Sequence, residues 1–312
     1  MSTDSVTWHG ASGVEIDVNG KRVMVDPYML PANVRAPHYI CVTHNDHDHF
    51  DEPTIMGLTE QPGFERLILT RSCVEIDRLD SPAPGLSRNL SFVRDDQVTV
   101  MYPKYVRTPG DRHTGPTELE LDEFRIEGID SSERPEHYRL DPLSPPRWPE
   151  IAGPYVGHAE FPNLGYLITA RSVGLTFYHP GDLHELFNAH RDLRGTVDVL
   201  FFPVPKFTGM EIAVVDMLRP RVVIPIHHRP DEPDFPIPLE VPEGFDPFPS
   251  DFEEFRDAKQ VIMHGHWYGG DDRPLERMEE LRPRFEALGA SIEILRAGKP
   301  RPIASIGALH AS

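Results

Sequence analysis

Residues 41 to 53 read CVTHNDHDHFDEP, where an apolar run passes into three histidines (His44, His47, His49) and three acids (Asp46, Asp48, Asp51) within eight residues. The apolar side, YICVTH (39–44), is short and bounded by polar sequence, as buried strands are. The polar side leads into DEPTIMGLTEQ (51–61), which suits a short helix with Pro53 in its first turn, where a missing N–H is harmless. Such a junction offers imidazole nitrogens and carboxylate oxygens to one point, and Zn, Mn and Fe accept both. In an extended or turning segment His44, Asp46 and Asp48 share a side, and His49 turns in as the helix begins. Mutual repulsion of the carboxylates is what a dication removes.

Upstream, residues 5 to 30 alternate in a β-like way, and Asn19-Gly20 between two strand-like runs predicts a hairpin. Downstream, strands are predicted at RLILTR (66–71), LSFVRDDQVTVMY (90–102), LELDEFRIEGID (119–130), LGYLITARSVGLTFYH (164–179), VDVLFFPV (197–204) and RVVIPIHH (221–228). Helical patterns cover 209–218 and 274–288. Strands followed by helices in both halves predict an α/β layered domain. The 33 prolines gather at 135–154 and 230–249, stretches that read as loops. The expected organisation is one domain over 1–312, with insertions at about 131–156 and 229–256 as lids or pocket walls.

A formal net charge of −19 argues against a nucleic-acid partner, because phosphate backbones are bound mainly through Lys and Arg. No apolar stretch approaches the ~20 residues that span a bilayer, so no membrane partner is expected. The start, MSTDSVTWHG, has neither basic nor apolar signal character, and Cys41 and Cys73 are the only cysteines. Both features point to a cytoplasmic protein with reduced thiols. No G-x-S-x-G elbow, Walker A or G-x-G-x-x-G loop is present, so no rival nucleophile or phosphate cradle appears.

THNDHDHFD resembles the signature loop of the metallo-β-lactamase-fold superfamily, T-H-x-H-x-D-H. Three later motifs resemble that family in order: His158 in VGHAEFPNLGYLI, Asp182 in TFYHPGDLHE 24 residues on, and His227 closing VVIPIHH. TWHGASGVEIDVNGKRVMVDPY resembles the family's opening hairpin and Asp-Pro turn, so the likeness runs from about residue 6 to 228. YHPGDLHE, PVPKFTGMEIAVVDML and VVIPIHHRP are similar to the ascorbate-6-phosphate-lactonase-like branch.

The resemblance implies a four-layer αβ/βα sandwich holding two divalent metal ions, Zn or else Mn or Fe. It implies His44, Asp46 and His158 on one metal, Asp48, His49 and His227 on the second, and Asp182 bridging. A water or hydroxide between the metals is then the expected nucleophile of a hydrolase acting on an ester, lactone, amide or phosphoester. Asp48 and Asp182 are the expected catalytic carboxylates.

Asp46 stands where the family has its second histidine, and His47 follows one place later. Either Asp46 is a ligand or the loop shifts to bring in His47; Asp46 is preferred because a shift also misplaces Asp48 and His49. A carboxylate there suits Fe or Mn and keeps open a diiron or manganese oxidase or oxygenase. Asp130 in IEGIDSS is the alternative to His158, which is preferred for its following strand and its interval to Asp182. His179, His184 and His228 flank ligand candidates as substrate-binding or ligand-orienting groups, with His47, and His9 is a core or supporting histidine. Lys206 and Arg229 are the cations near the expected mouth for an anionic small molecule, and a homo-oligomer is the default for such an enzyme.

Overall fold

Asn19 and Gly20 adopt φ of 53° and 79°, the doubly left-handed turn that matches strand twist, and so close the predicted hairpin. The structure, a computed structural model, describes residues 4–28, 30, 33–44, 49–70, 73, 90–104, 115–131, 164–182, 188–204, 211–228 and 274–306. The hairpin joins β2 (Gly13–Val18) to β3 (Lys21–Val25), with β1 (Ser5–Gly10) antiparallel to β2. β4 (Tyr39–Val42), β5 (Arg66–Thr70) and β6 (Val98–Met101) continue the sheet in parallel from β3. β7 (Glu118–Glu120), β8 (Phe124–Asp130), β9 (Leu164–Ala170) and β10 (Leu175–His179) form an antiparallel run in a second sheet. β11 (Val199–Pro203), β12 (Val222–Ile226) and β13 (Ser291–Ile292) extend it in parallel from β10. β14 (Arg301–Pro302) returns to the first sheet beside β1, so the orders are β14-β1-β2-β3-β4-β5-β6 and β13-β12-β11-β10-β9-β8-β7.

Alternation along each strand builds three apolar layers. On β4, Tyr39 and Cys41 join the central cluster between the sheets, and Ile40 and Val42 join an outer cluster with Ile55 and Leu58 of α1 (Glu52–Thr59). On β11, Val199 and Phe201 face inward. Leu200 and Phe202 face outward to Val214, Val215 and Leu218 of α3 (Glu211–Leu218) and Met278, Leu281 and Phe285 of α4 (Pro274–Ala287). A short α2 (Asn188–Asp192) sits before β11. Helices outside two facing sheets make the four-layer sandwich expected from sequence. Cys41 and Cys73 are buried thiols that form no disulfide.

The elements differ from expectation in places. LSFVRDDQVTVMY yields only β6, because Arg94, Asp95 and Asp96 are exposed and a 3-10 turn covers Asp95–Gln97. LELDEFRIEGID and LGYLITARSVGLTFYH each fold into two strands joined by a tight turn rather than into one. β13 and β14 are two residues each, and no apolar run announces them. Apart from the buried Ser131, the expected insertions lie outside the described residues. Among the described residues no helix is long and apolar enough to cross a membrane.

Candidate metal centre

Four sequence-predicted site residues, contributed by three separate stretches of chain, come together at the carboxyl ends of parallel strands, the usual place for a site in α/β layers. His44 follows β4, His49 precedes α1, Asp182 follows β10 and His227 follows β12. His44, His49 and His227 are at most 1% exposed, and Asp182 is 6% exposed. His49 Nε2 lies 3.2 Å from Asp182 Oδ1, and His227 Nε2 lies 3.3 Å from the same oxygen. His44 Nε2 lies 3.9 Å from the other oxygen, Oδ2. The carboxylate thus divides the histidines, two on one oxygen and one on the other.

His44, His49 and Asp182 offer ligand atoms that all fall within 4.8 Å of one another. Donors bound about 2.1 Å from a single tetrahedral ion stand roughly 3.4 Å apart, so the 3.2 and 3.3 Å separations of His49 Nε2 and His227 Nε2 from Asp182 Oδ1 fit donors to one cation, with His44 beside them on Oδ2. Imidazole nitrogen with carboxylate oxygen is also a donor set that Zn, Mn and Fe share. Asp46, His47, Asp48, His158, His184, Lys206 and Arg229 lie outside the described residues. Asp130 ends β8, fully buried and in register with Leu164, whose N–H donates to Thr43 O at 3.0 Å.

The histidine orientations follow from a buried network that sequence reasoning did not assign. Asp26 follows β3, beside β4, and is fully buried at φ 49°. Its Oδ1 accepts the Thr43 N–H at 2.8 Å, and its Oδ2 accepts the Thr43 hydroxyl at 2.7 Å. His49 Nδ1–H also donates to Oδ2 at 2.7 Å, which leaves the Nε2 lone pair facing Asp182. The Thr43 hydroxyl, its proton given to Asp26, accepts from His44 Nδ1–H at 2.9 Å, which likewise turns the His44 Nε2 lone pair inward. A carboxylate behind a ligating histidine fixes tautomer and ring plane in this way. Burial pushes the Asp26 carboxyl up, but His49, by charge and hydrogen bond, with His179 and His44 behind it, outweighs burial and holds it below its ordinary range. The available signal was VDP at a strand end beside the histidine-bearing strand.

His179 is fully buried, accepts the Gly181 N–H on Nδ1 at 3.2 Å and donates Nε2–H to Ser12 O at 2.8 Å. His228 is buried with its ring 4.3 Å from that of Trp8. His9 is buried on β1, where burial, and then the Arg22 charge, pull its pKa down to about 4.

The Beta-lactamase superfamily domain family model matches residues 5–227, and the chain belongs to that family. A curated relative, a metal-dependent hydrolase of Haloquadratum walsbyi, is 29% identical over 72 residues, 19% of this chain and only 30% of its own length. Among solved structures, isothiocyanate hydrolase from Delia radicum gut bacteria superposes with a TM-score of 0.54 at 13% identity, covering 95% of this chain and 98% of its own. CmlA, a diiron β-hydroxylase from Streptomyces venezuelae, superposes with a TM-score of 0.55 at 14% identity, covering 97% of this chain and 55% of its own. At such identities the likeness is one of fold.

Proposed function

We propose that this chain is a hydrolase that depends on two divalent cations and acts on an ester, lactone, amide or phosphoester of a small molecule. The observation that carries the reading is the division of Asp182, with Oδ1 toward His49 and His227 and Oδ2 toward His44. A carboxylate so divided would have one oxygen available to each of two cations. In this reading His44, Asp46 and His158 would hold one cation, and Asp48, His49 and His227 would hold the other. Bound cations would supply Lewis acidity, activating water and polarising the electrophile. The chain's own part is to fix the donors. Asp26 keeps His49 with its proton on Nδ1, Thr43 does the same for His44, and burial keeps bulk water from the His44, His49 and His227 rings.

The metal-dependent hydrolase from Haloquadratum walsbyi supports the reaction class, and the motifs that resemble the lactonase-like branch put a lactone among the candidate substrates. Lys206 and Arg229 suit an anionic substrate, and the −19 net charge disfavours RNA or DNA. A homo-oligomer is the default assembly. Asp46 in place of histidine favours a second reading, a diiron or manganese oxidase or oxygenase in the same cage.

The test is a panel of lactone, ester, amide and phosphoester substrates offered to chelated protein and to protein reloaded with Zn, Mn or Fe. Hydrolysis that returns only on reloading and is abolished in Asp182→Asn supports the first reading. Stoichiometric iron with near-UV oxo-bridge absorption and no hydrolysis transfers the site to the second. Hydrolysis that survives complete chelation sinks both.

A further inference from the structure

We propose that His179 is a positioning residue that clamps the β1–β2 turn to the ends of β10 and β12 and so sets the gap between Asp182 and His227. The proposal rests on the metal-cage reading and deepens it. The clamp consists of two hydrogen bonds between one imidazole and the main chain and a neighbouring main-chain bond to His227. Ala11 O accepts the His227 N–H at 2.6 Å, and the next carbonyl, Ser12 O, accepts His179 Nε2–H at 2.8 Å. Two successive carbonyls of a turn in the first sheet therefore hold the ends of two strands in the second. On its other side the ring accepts the Gly181 N–H at 3.2 Å, immediately before Asp182.

The bonded segments are ones that would not hold their shape unaided. Ala11 at φ 44° and His227 at φ 62° are side-chain-bearing residues in the left-handed region, and Gly181 stands at φ 62°. At Gly181 a Cβ would meet Thr43 Cβ at 3.0 Å, so the turn that bears Asp182 also lies hard against the strand end that bears His44. Trp8 Nε1–H adds a bond to Ala11 O at 2.9 Å and braces the turn from below. A purely apolar ring at 179 would fill the same volume. It would also strip Ser12 O of this donor and Gly181 N–H, one residue before Asp182, of its acceptor. The two nitrogens have distinct tasks. Nδ1 shapes the Asp182 turn, and Nε2 joins that turn to the strut that carries His227.

The experiment measures Zn²⁺ affinity of the metal-free protein by competition with a chromophoric chelator. The d–d spectrum of the Co²⁺-loaded protein is recorded beside it, with melting of the metal-free form as the control for folding. His179→Ala is expected to lose Zn²⁺ affinity on the order of 10–100-fold and to alter the Co²⁺ spectrum. His179→Asn, whose oxygen replaces Nδ1, and His179→Gln, whose amide replaces Nε2, should each recover part of the loss. Wild-type affinity and spectrum in all three variants would overturn the proposal, as would equal losses in Ala, Asn and Gln that follow melting temperature alone. If the Ala variant fails to fold, the Asn and Gln variants decide on the same criteria. A wild-type protein that takes up neither Zn²⁺ nor Co²⁺ removes the cage itself, a failure distinct from normal uptake by the variants.

Discussion

Asp26 is the residue whose chemistry reaches furthest into the site without being one of its expected ligands. It accepts from His49 and twice from Thr43, and it is fully buried. Asp26→Asn would replace an acceptor-only group with one whose amide confronts His49 Nδ1–H. We expect a Zn²⁺ affinity loss on the order of 10–100-fold, read by chelator competition, with the fold kept. VDP is visible in sequence, but its task is not, because nothing local says that β3 and β4 are neighbours. Asp46 and His47 pose the converse problem, a ligand ambiguity that residue chemistry alone leaves at two candidates. Asp46→Ala should remove about one metal equivalent, whereas His47→Ala should remove none. The reverse pattern hands the role to His47.

Among the elements, the outer face of β2 and β3 has its own pH signature. Burial, opposed first by the Arg22 charge, raises the Glu15 carboxyl from 4.5 to about 7. A carboxyl raised on folding stabilises while neutral, so its contribution is present below pH 4.5 and is lost as pH climbs through about 7. The loss amounts to about 3 kcal/mol, and Glu15→Gln should not show it. Urea unfolding at pH 5 and pH 8 checks this; parallel changes in both proteins contradict it. His9 acts in the opposite sense, losing its contribution as pH falls from 6.5 through about 4. A second element-scale test concerns the tie between sheets, where Tyr166 on β9 donates its hydroxyl to Val42 O on β4 at 2.8 Å. Tyr166→Phe should cost about 1–3 kcal/mol, because it leaves a buried carbonyl short of a donor. Strands with a strong apolar run, such as VVIPI and VLFFP, were legible because both faces are buried. β13 and β14 were not legible, because two residues of pairing need no pattern, and hairpins such as β9–β10 were legible only as continuous β sequence.

At the scale of the whole molecule, the two sheets meet where the histidines do. His44 and His49 flank the β4–α1 junction on the first sheet, and Asp182 and His227 follow strands of the second. A cation held there would tie the layers together. Chelation should therefore lower the melting temperature, by an amount corresponding to about 2.7 kcal/mol when free metal stands 100-fold above its dissociation constant. The order of motifs along the chain made the four-layer sandwich and the meeting of His44, His49, Asp182 and His227 legible in advance. It marked His179 as a ligand-orienting candidate but did not reveal its partners, the Ser12 carbonyl and the Gly181 N–H, which any residue supplies, or the place of Asp26 behind His49 and Thr43, which depends on β3 lying beside β4. The most direct test is elemental analysis of protein purified without added metal, beside Asp182→Ala. The account predicts about two equivalents per chain in the wild type and loss of most of that metal in the variant. Wild-type protein with no more metal than its dialysis buffer, or a variant that keeps the wild-type content, would contradict it.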